Sequence, residues 1–181
     1  MSNYRRARTY GGTYFFTVVT YKRQQFLTDE PFRSILRDSI ETTRNQHPFT
    51  INSWVLLPDH LHCIWTLPDN DHNFSKHWGI IKARFSKHAK AFLHNNKWIT
   101  SSKQKHREST IWQRRFWEHQ IRNEYDYQNH MDYIHYNPVK HKLVDRVADW
   151  PYSTFHRYAQ QGIYPKDWGG NIDIVNIDYG E

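Results

Sequence analysis

An α+β fold is predicted by two features of the sequence. Short runs of β-branched and aromatic residues alternate with stretches whose apolar residues recur at helical spacing, and their order is strand, helix, strand, strand, helix, strand, helix. That order is a ferredoxin-like or RRM-like βαββαβ plan: an antiparallel sheet with helices on one face, plus a C-terminal helix bearing a tyrosine, and a tail. The 181 residues suffice for one domain with a substantial core, so the chain reads as a single domain over residues 1–181. Residues 1–12 form a basic arm and residues from about 162 to 181 an irregular tail.

Each element has its own signal. Thr13 to Thr20 (TYFFTVVT) is apolar on both faces, as in a covered or central strand. Thr28-Asp29-Glu30-Pro31 opens a helix, and Phe32, Ile35, Leu36 and Ile40 give its buried stripe. Phe49 to Leu57 is a second strand, broken by Pro58-Asp59. His60 to Leu67 is the third. With period two, Leu61, Cys63, Trp65 and Leu67 face one side of it, and His60 and His62 the other. The two histidine α-carbons then lie roughly 6–7 Å apart on one face, where neutral imidazoles can share an ion. The bare His-x-His spacing is weak evidence, because 13 histidines produce about one such pair by chance.

Phe74, Trp78, Ile81, Phe85, Ala89 and Phe92 mark an amphipathic helix with a core stripe. Its other face carries Lys76, Lys82, Arg84, Lys87 and Lys90, either solvated or tracking phosphates. Asn95 to Ser109 reads as a mobile basic loop and Ile111 to Trp117 as a short strand, with Arg114 and Arg115 framed by aromatics. Asn123 caps the last long helix, with Asp126 as its partner. That helix should stop at Pro138. Along it, Asp126, His130, Tyr133 and Asn137 form a polar row, and Tyr127, Met131 and Ile134 an apolar row for the core. A short helix is expected from Lys142 to Asp149, and another around Phe155 and Tyr158.

Composition narrows the function. Net charge is +7, with 25 Lys+Arg against 18 Asp+Glu, and aromatics are 17%. Basic charge among rings suits nucleic acid, above all unpaired bases. The single cysteine, Cys63, excludes an intramolecular disulfide. Neither a signal peptide nor a membrane-length apolar run is apparent, so a cytoplasmic, nucleoid-associated protein is expected, with no membrane partner.

Pro58-Asp59-His60-Leu61-His62 resembles the HUH motif, histidine–bulky hydrophobic–histidine. Downstream, Phe116-Trp117-Glu118-His119 and the stretch from Tyr133 through Asn137-Pro138 to His141 resemble the signature of the single-tyrosine transposases. With the arginine arm, the aromatic first strand and WPYSTFHRY, the chain is similar to the REP-associated tyrosine transposases from about Asn3 to Trp168. The resemblance implies cleavage and rejoining of single-stranded DNA beside hairpins of repetitive extragenic palindromes, through a 5′-phosphotyrosine. It implies Tyr133 as nucleophile and His60, His62 and Asn137 as ligands of Mg²⁺ or Mn²⁺, in a monomer with its site in cis. Arg5, Arg6, Arg8, Arg114 and Arg115 are the candidate DNA contacts. Two other classes remain open on the residues alone: a non-catalytic RRM-like nucleic-acid binder with structural histidines, and a metal-dependent phosphoesterase that uses water.

Overall fold

The computed structural model describes residues 9–105 and 109–169. Arg5, Arg6, Arg8 and the end of the tail therefore lie outside the described residues. The elements are β1 (Thr13–Val19), α1 (Phe32–Gln46), β2 (Thr50–Leu56), β3 (His60–Thr66), α2 (Phe74–Leu93), α3 (Ser101–Lys105), β4 (Trp117–Gln120), α4 (Glu124–Lys140) and α5 (Phe155–Gln160). The strands form one sheet in the order β2-β3-β1-β4, every pair antiparallel. The histidine strand is thus central, as its pattern predicts.

Strand alternation divides the core in two. On one face Tyr14, Phe16, Val18, Leu61, Cys63 and Trp65 pack with Leu36 and Ile40 of α1 and with Phe74, Trp78, Ile81 and Phe85 of α2. On the other, Phe15, Val55 and Ile64 meet Met131, Tyr133 and Ile134 of α4, Phe155 of α5 and Tyr164. The α1 and α2 stripes are as expected apart from Phe92, which is 68% exposed in the last turn of α2.

Four expectations are corrected. First, α4 does not end at Pro138 but runs through it to Lys140. Proline removes one N–H from the ladder, a small loss in the final turn, and Leu143 N–H donates to its carbonyl at 2.9 Å. Second, the strand expected at Ile111–Trp117 forms later, at Trp117–Gln120. Ile111 and Trp112 are instead buried against the α1/α2 core, and Trp112 makes only an isolated bridge to Thr20. Third, the stretch expected as a loop at 95–109 holds a 3₁₀ turn at Asn96–Trp98 and the short α3. Asn95 caps the turn by accepting from Lys97 N–H at 3.0 Å, and Lys103 is buried with its Nζ 3.8 Å from the Tyr21 ring centroid. Fourth, the helix expected at Lys142–Asp149 is a single 3₁₀ turn, Val147–Asp149.

Helix α5 ends in a Schellman turn. Gly162 adopts a left-handed φ of 73°, and Gly162 and Ile163 N–H donate to Ala159 and Tyr158 carbonyls. The turn sends the start of the tail back across α4. Tyr164 is 5% exposed, accepts from Gln128 Nε2 at 3.1 Å and donates to Asp132 Oδ1. With α4 covered by the sheet on one side and by this segment on another, His130, Tyr133 and Asn137 of its polar row are buried as well as Met131 and Ile134 of its apolar one.

Candidate active site

The polar row of α4 points at the histidine strand of its own chain. The Tyr133 and His62 rings lie 5.2 Å apart between centroids, edge to face, and His62 lies 4.9 Å from His60. Phe15 forms the floor, stacked on His62 at 5.5 Å and 6.1 Å from Tyr133. His60, His62, Tyr133 and Asn137 are all at most 2% exposed. Asn137 sits one turn beyond Tyr133 on the helix, which puts it on the same face.

Both histidines are held through the same ring atom. His60 Nδ1 lies 2.6 Å from Asp59 Oδ1, and His62 Nδ1 lies 2.9 Å from Thr17 Oγ1, its cross-strand partner. The Asp59 carboxylate can only accept, so it fixes the His60 tautomer with the proton on Nδ1, while the Thr17 hydroxyl orients the His62 ring; a metal would approach through Nε2. Two imidazoles and a carboxamide carry no charge, so a divalent cation, were it held by His60, His62 and Asn137, would keep its full Lewis acidity. Nitrogen donors suit Mn²⁺ better than Mg²⁺, which prefers oxygen. The residues fit the implied metal. Burial pushes the Asp59 carboxyl pKa up, but the His60 and Arg23 contacts outweigh it and the group stays below its ordinary value.

A second group of metal-binding residue types, His119, Asp126 and His130, has ligand atoms within 4.8 Å of one another. Its geometry is that of a helix cap. Asn123 Oδ1 accepts from Asp126 N–H at 2.9 Å, and Asp126 Oδ2 accepts from Arg122 N–H at 3.0 Å and lies 2.9 Å from His119 Nε2. His130 Nδ1 lies 2.7 Å from the Asp126 carbonyl oxygen, the arrangement of an N–H donor rather than a ligand lone pair. Asp126 is therefore the partner of the Asn123 cap that the sequence suggests, and it also ties β4 to α4. Burial raises its pKa, while the His119 and Arg122 hydrogen bonds bring the net value below the ordinary one.

Arg114 and Arg115, adjacent and exposed, diverge. Arg115 lines a cleft of about 370 Å³ with Thr17, Val19, Phe116, Trp117 and Glu118, which borders the histidine face. Arg114 lines another, of about 470 Å³, with Lys82, Lys87, Lys90 and His94 of the α2 side. Arg84 instead donates to Gln46 Oε1 at 3.2 Å.

Sequence reasoning assigned no role to four side chains at the site: Thr17, Asp59, Lys140 and His141. Lys140 Nζ donates to the Tyr133 oxygen at 3.1 Å, and the His141 ring lies 5.0 Å from His60. Extending the helix past Pro138 would have put Lys140 and His141 within reach. A carboxylate next to a candidate ligand was the available signal for Asp59. Thr17 needed the strand register.

Known proteins are similar to this chain over most or all of its length. The family model described as "Transposase IS200 like" covers residues 8–137. A REP-associated tyrosine transposase of Escherichia coli (strain K12) is 47% identical over 182 residues, spanning 100% of this chain and 98% of that one. A counterpart in Haemophilus influenzae is 48% identical over 175 residues, spanning 96% and 97%. A solved REP-associated tyrosine transposase bound to a REP hairpin superposes with a TM-score of 0.80 at 46% identity, over 99% of this chain and 96% of that one. A central histidine strand facing a tyrosine helix, on a chain with these relatives, belongs to the IS200-like transposase family, in its branch of REP-associated tyrosine transposases.

Proposed function

We propose that this transposase binds REP-type hairpins and cleaves and rejoins the flanking single-stranded DNA, with Tyr133 as nucleophile and a 5′-phosphotyrosine as intermediate. The observation that carries the reading is the meeting of Tyr133 with the His60–His62 pair within one chain, ring centroids 5.2 Å and 4.9 Å apart. The same proximity supports a complete site in cis, in a monomer. A Mg²⁺ or Mn²⁺ ion held by His60, His62 and Asn137 would polarise the scissile phosphate. The chain's own residues do the rest. The Tyr133 oxygen attacks phosphorus, the bond to the 3′-oxygen breaks, and the covalent ester keeps the phosphodiester energy, so that rejoining needs no nucleotide cofactor. Phe15 and the buried helix–sheet interface floor the site and hold Tyr133 against the histidine pair.

The basic clefts supply grip. Arg115 beside the histidine face and Arg114 with Lys82, Lys87 and Lys90 suit phosphates on two sides of the β4 edge. Arg5, Arg6 and Arg8 remain candidates for the same role. The substrate places the enzyme in the cytoplasm beside the nucleoid, and no helix among the described residues is long and apolar enough to cross a membrane.

The test is a labelled hairpin with a 5′ single-stranded flank, incubated with Mn²⁺ and run on a denaturing gel. A protein–DNA adduct should form, and Tyr133→Phe should reduce it by roughly 10⁴-fold or more, as expected for loss of a nucleophile. Cleavage that survives Tyr133→Phe without an adduct would mean that water attacks. Binding with no cleavage in any metal would return the chain to the class of simple binders.

A further inference from the structure

The side chain nearest in function to Tyr133 comes from its own helix. Lys140 lies seven residues further along α4, and its Nζ donates to the Tyr133 phenolic oxygen at 3.1 Å. The same ammonium sits 4.8 Å from the Tyr133 ring centroid. Seven residues are close to two turns, so both side chains project from one stripe of the helix. This reach depends on the helix continuing past Pro138, because a chain turning away at 138 would carry Lys140 elsewhere. The half-buried position of Lys140, against a 2% exposed tyrosine, gives the contact a partly desolvated setting where charge-assisted hydrogen bonds are strong.

We propose that Lys140 is a catalytic residue of strand transfer: its ammonium holds the Tyr133 oxygen and stabilises the negative charge that oxygen carries in both directions of the reaction. The proposal rests on Tyr133 being the nucleophile. In cleavage the bond from the Tyr133 oxygen to phosphorus forms, the phosphorus–O3′ bond breaks, the phenolic proton passes to solvent and the 3′-oxygen takes one from solvent. In rejoining a 3′-hydroxyl attacks phosphorus and gives up its proton to solvent. The phosphorus–tyrosine bond breaks, and its electron pair stays on the phenolic oxygen beside the ammonium. Lys140 exchanges no proton in either step. Its work is electrostatic and positional, and a second cation of similar reach should do part of it. A compact ammonium with three donors can hold the tyrosine oxygen and still face an incoming phosphate.

The experiment is single-turnover kinetics at saturating hairpin DNA with Mn²⁺, on the intact chain, measuring both adduct formation and rejoining from isolated adduct. Lys140→Met should slow both steps about 100-fold, the scale for removing one donor to a developing oxyanion, while the hairpin dissociation constant stays within about threefold. Lys140→Arg should recover a large part of the loss in both steps. Wild-type rates at saturation with weakened binding would overturn the proposal and make Lys140 a DNA clamp. Equal slowing in Lys140→Arg and Lys140→Met would overturn the role of charge. Where Lys140→Met loses hairpin binding altogether, Lys140→Gln carries the same test. Tyr133→Phe is the control for adduct formation: an adduct formed without that hydroxyl overturns the nucleophile itself, a result distinct from slow chemistry in the Lys140 variants.

Discussion

The two faces of the sheet are built from the same strands and do opposite work. On β3, Leu61, Cys63 and Trp65 point into an aromatic core with α1 and α2, while His60 and His62 point at α4. On β1, Phe16 and Val18 serve the first face, and Phe15 and Thr17 floor and orient the second. The first face supplies packing alone, and the second combines a smaller core with buried polar groups that need partners. The difference shows how a small domain accommodates a buried polar site: period-two alternation lets seven residues serve a core and a histidine wall at once.

If the faces are separable, damage to one should leave the other's property intact. The largest expected effect is Trp65→Ala. Trp65 is 0% exposed, stacked on Phe49 at 4.0 Å and on Trp78 at 4.2 Å. Its loss should cost about 3–5 kcal/mol of stability, read as a shifted urea midpoint. At a temperature where the variant is still folded, adduct formation per folded molecule should stay within a fewfold of wild type. Loss of chemistry in folded Trp65→Ala would show that the aromatic core sets the geometry of the histidine wall.

Asp59→Asn is the converse, aimed at the second face. The carboxamide keeps an acceptor for His60 Nδ1 and drops the charge that polarises the ring. Substitutions of such outer partners typically cost about 10–100-fold in metal affinity or activity, so the Mn²⁺ concentration needed for adduct formation should rise by that order. Stability should move by less than about 1 kcal/mol, since the carboxamide keeps the His60 contact and the Arg23 partner in the Asp59 ion pair is partly exposed to solvent. An unchanged Mn²⁺ requirement would remove Asp59 from the site.

What the sequence makes legible follows the same division. Strand periodicity needs no tertiary information, so the opposite facing of Trp65 and His62 can be read directly, as can the helical register that turns Tyr133 toward the histidine strand and Met131 and Ile134 into the core. Misreadings arise where a local rule meets a tertiary one. Pro138 is a stop by backbone rules, but the helix closes its last turn around it, and that conceals Lys140 and His141. Ile111 and Trp112 have strand chemistry, yet burial against α2 claims them before the ladder does. Arg114 and Arg115 look like one contact, and the bend between core and β4 sends them into separate clefts. Thr17 is a partner of His62 only through the pairing of β1 with β3, 45 residues away.

The smallest effect concerns pH, and it centres on a buried histidine of the polar face. His135 on α4 is 0% exposed, with its Nε2 3.0 Å from Thr154 Oγ1 and 3.3 Å from Ser53 Oγ. Burial first, then the charges of Arg157 and His156, push its pKa down to about 3. Above the unfolded value of about 6.5 both states hold a neutral ring and there is no linkage. As pH falls through 6.5 the unfolded chain takes a proton that the folded chain refuses until about 3, so folding stability declines across that window. The slope from one such group approaches about 1.4 kcal/mol per pH unit. His130, also on this face, is shifted down by burial and adds in the same direction. The carboxyls of Asp59 and Asp126, held below their ordinary values, lose their stabilising contribution at the acidic end and steepen the fall. His135→Gln removes one titrating group without adding another. Whatever its offset at pH 7.5, its stability measured by urea titration should fall less steeply than wild type between pH 6 and 4. Parallel curves would mean that the buried His135 is protonated in the folded protein, and the polar face would then hold a charge that its hydroxyl partners are not arranged to balance.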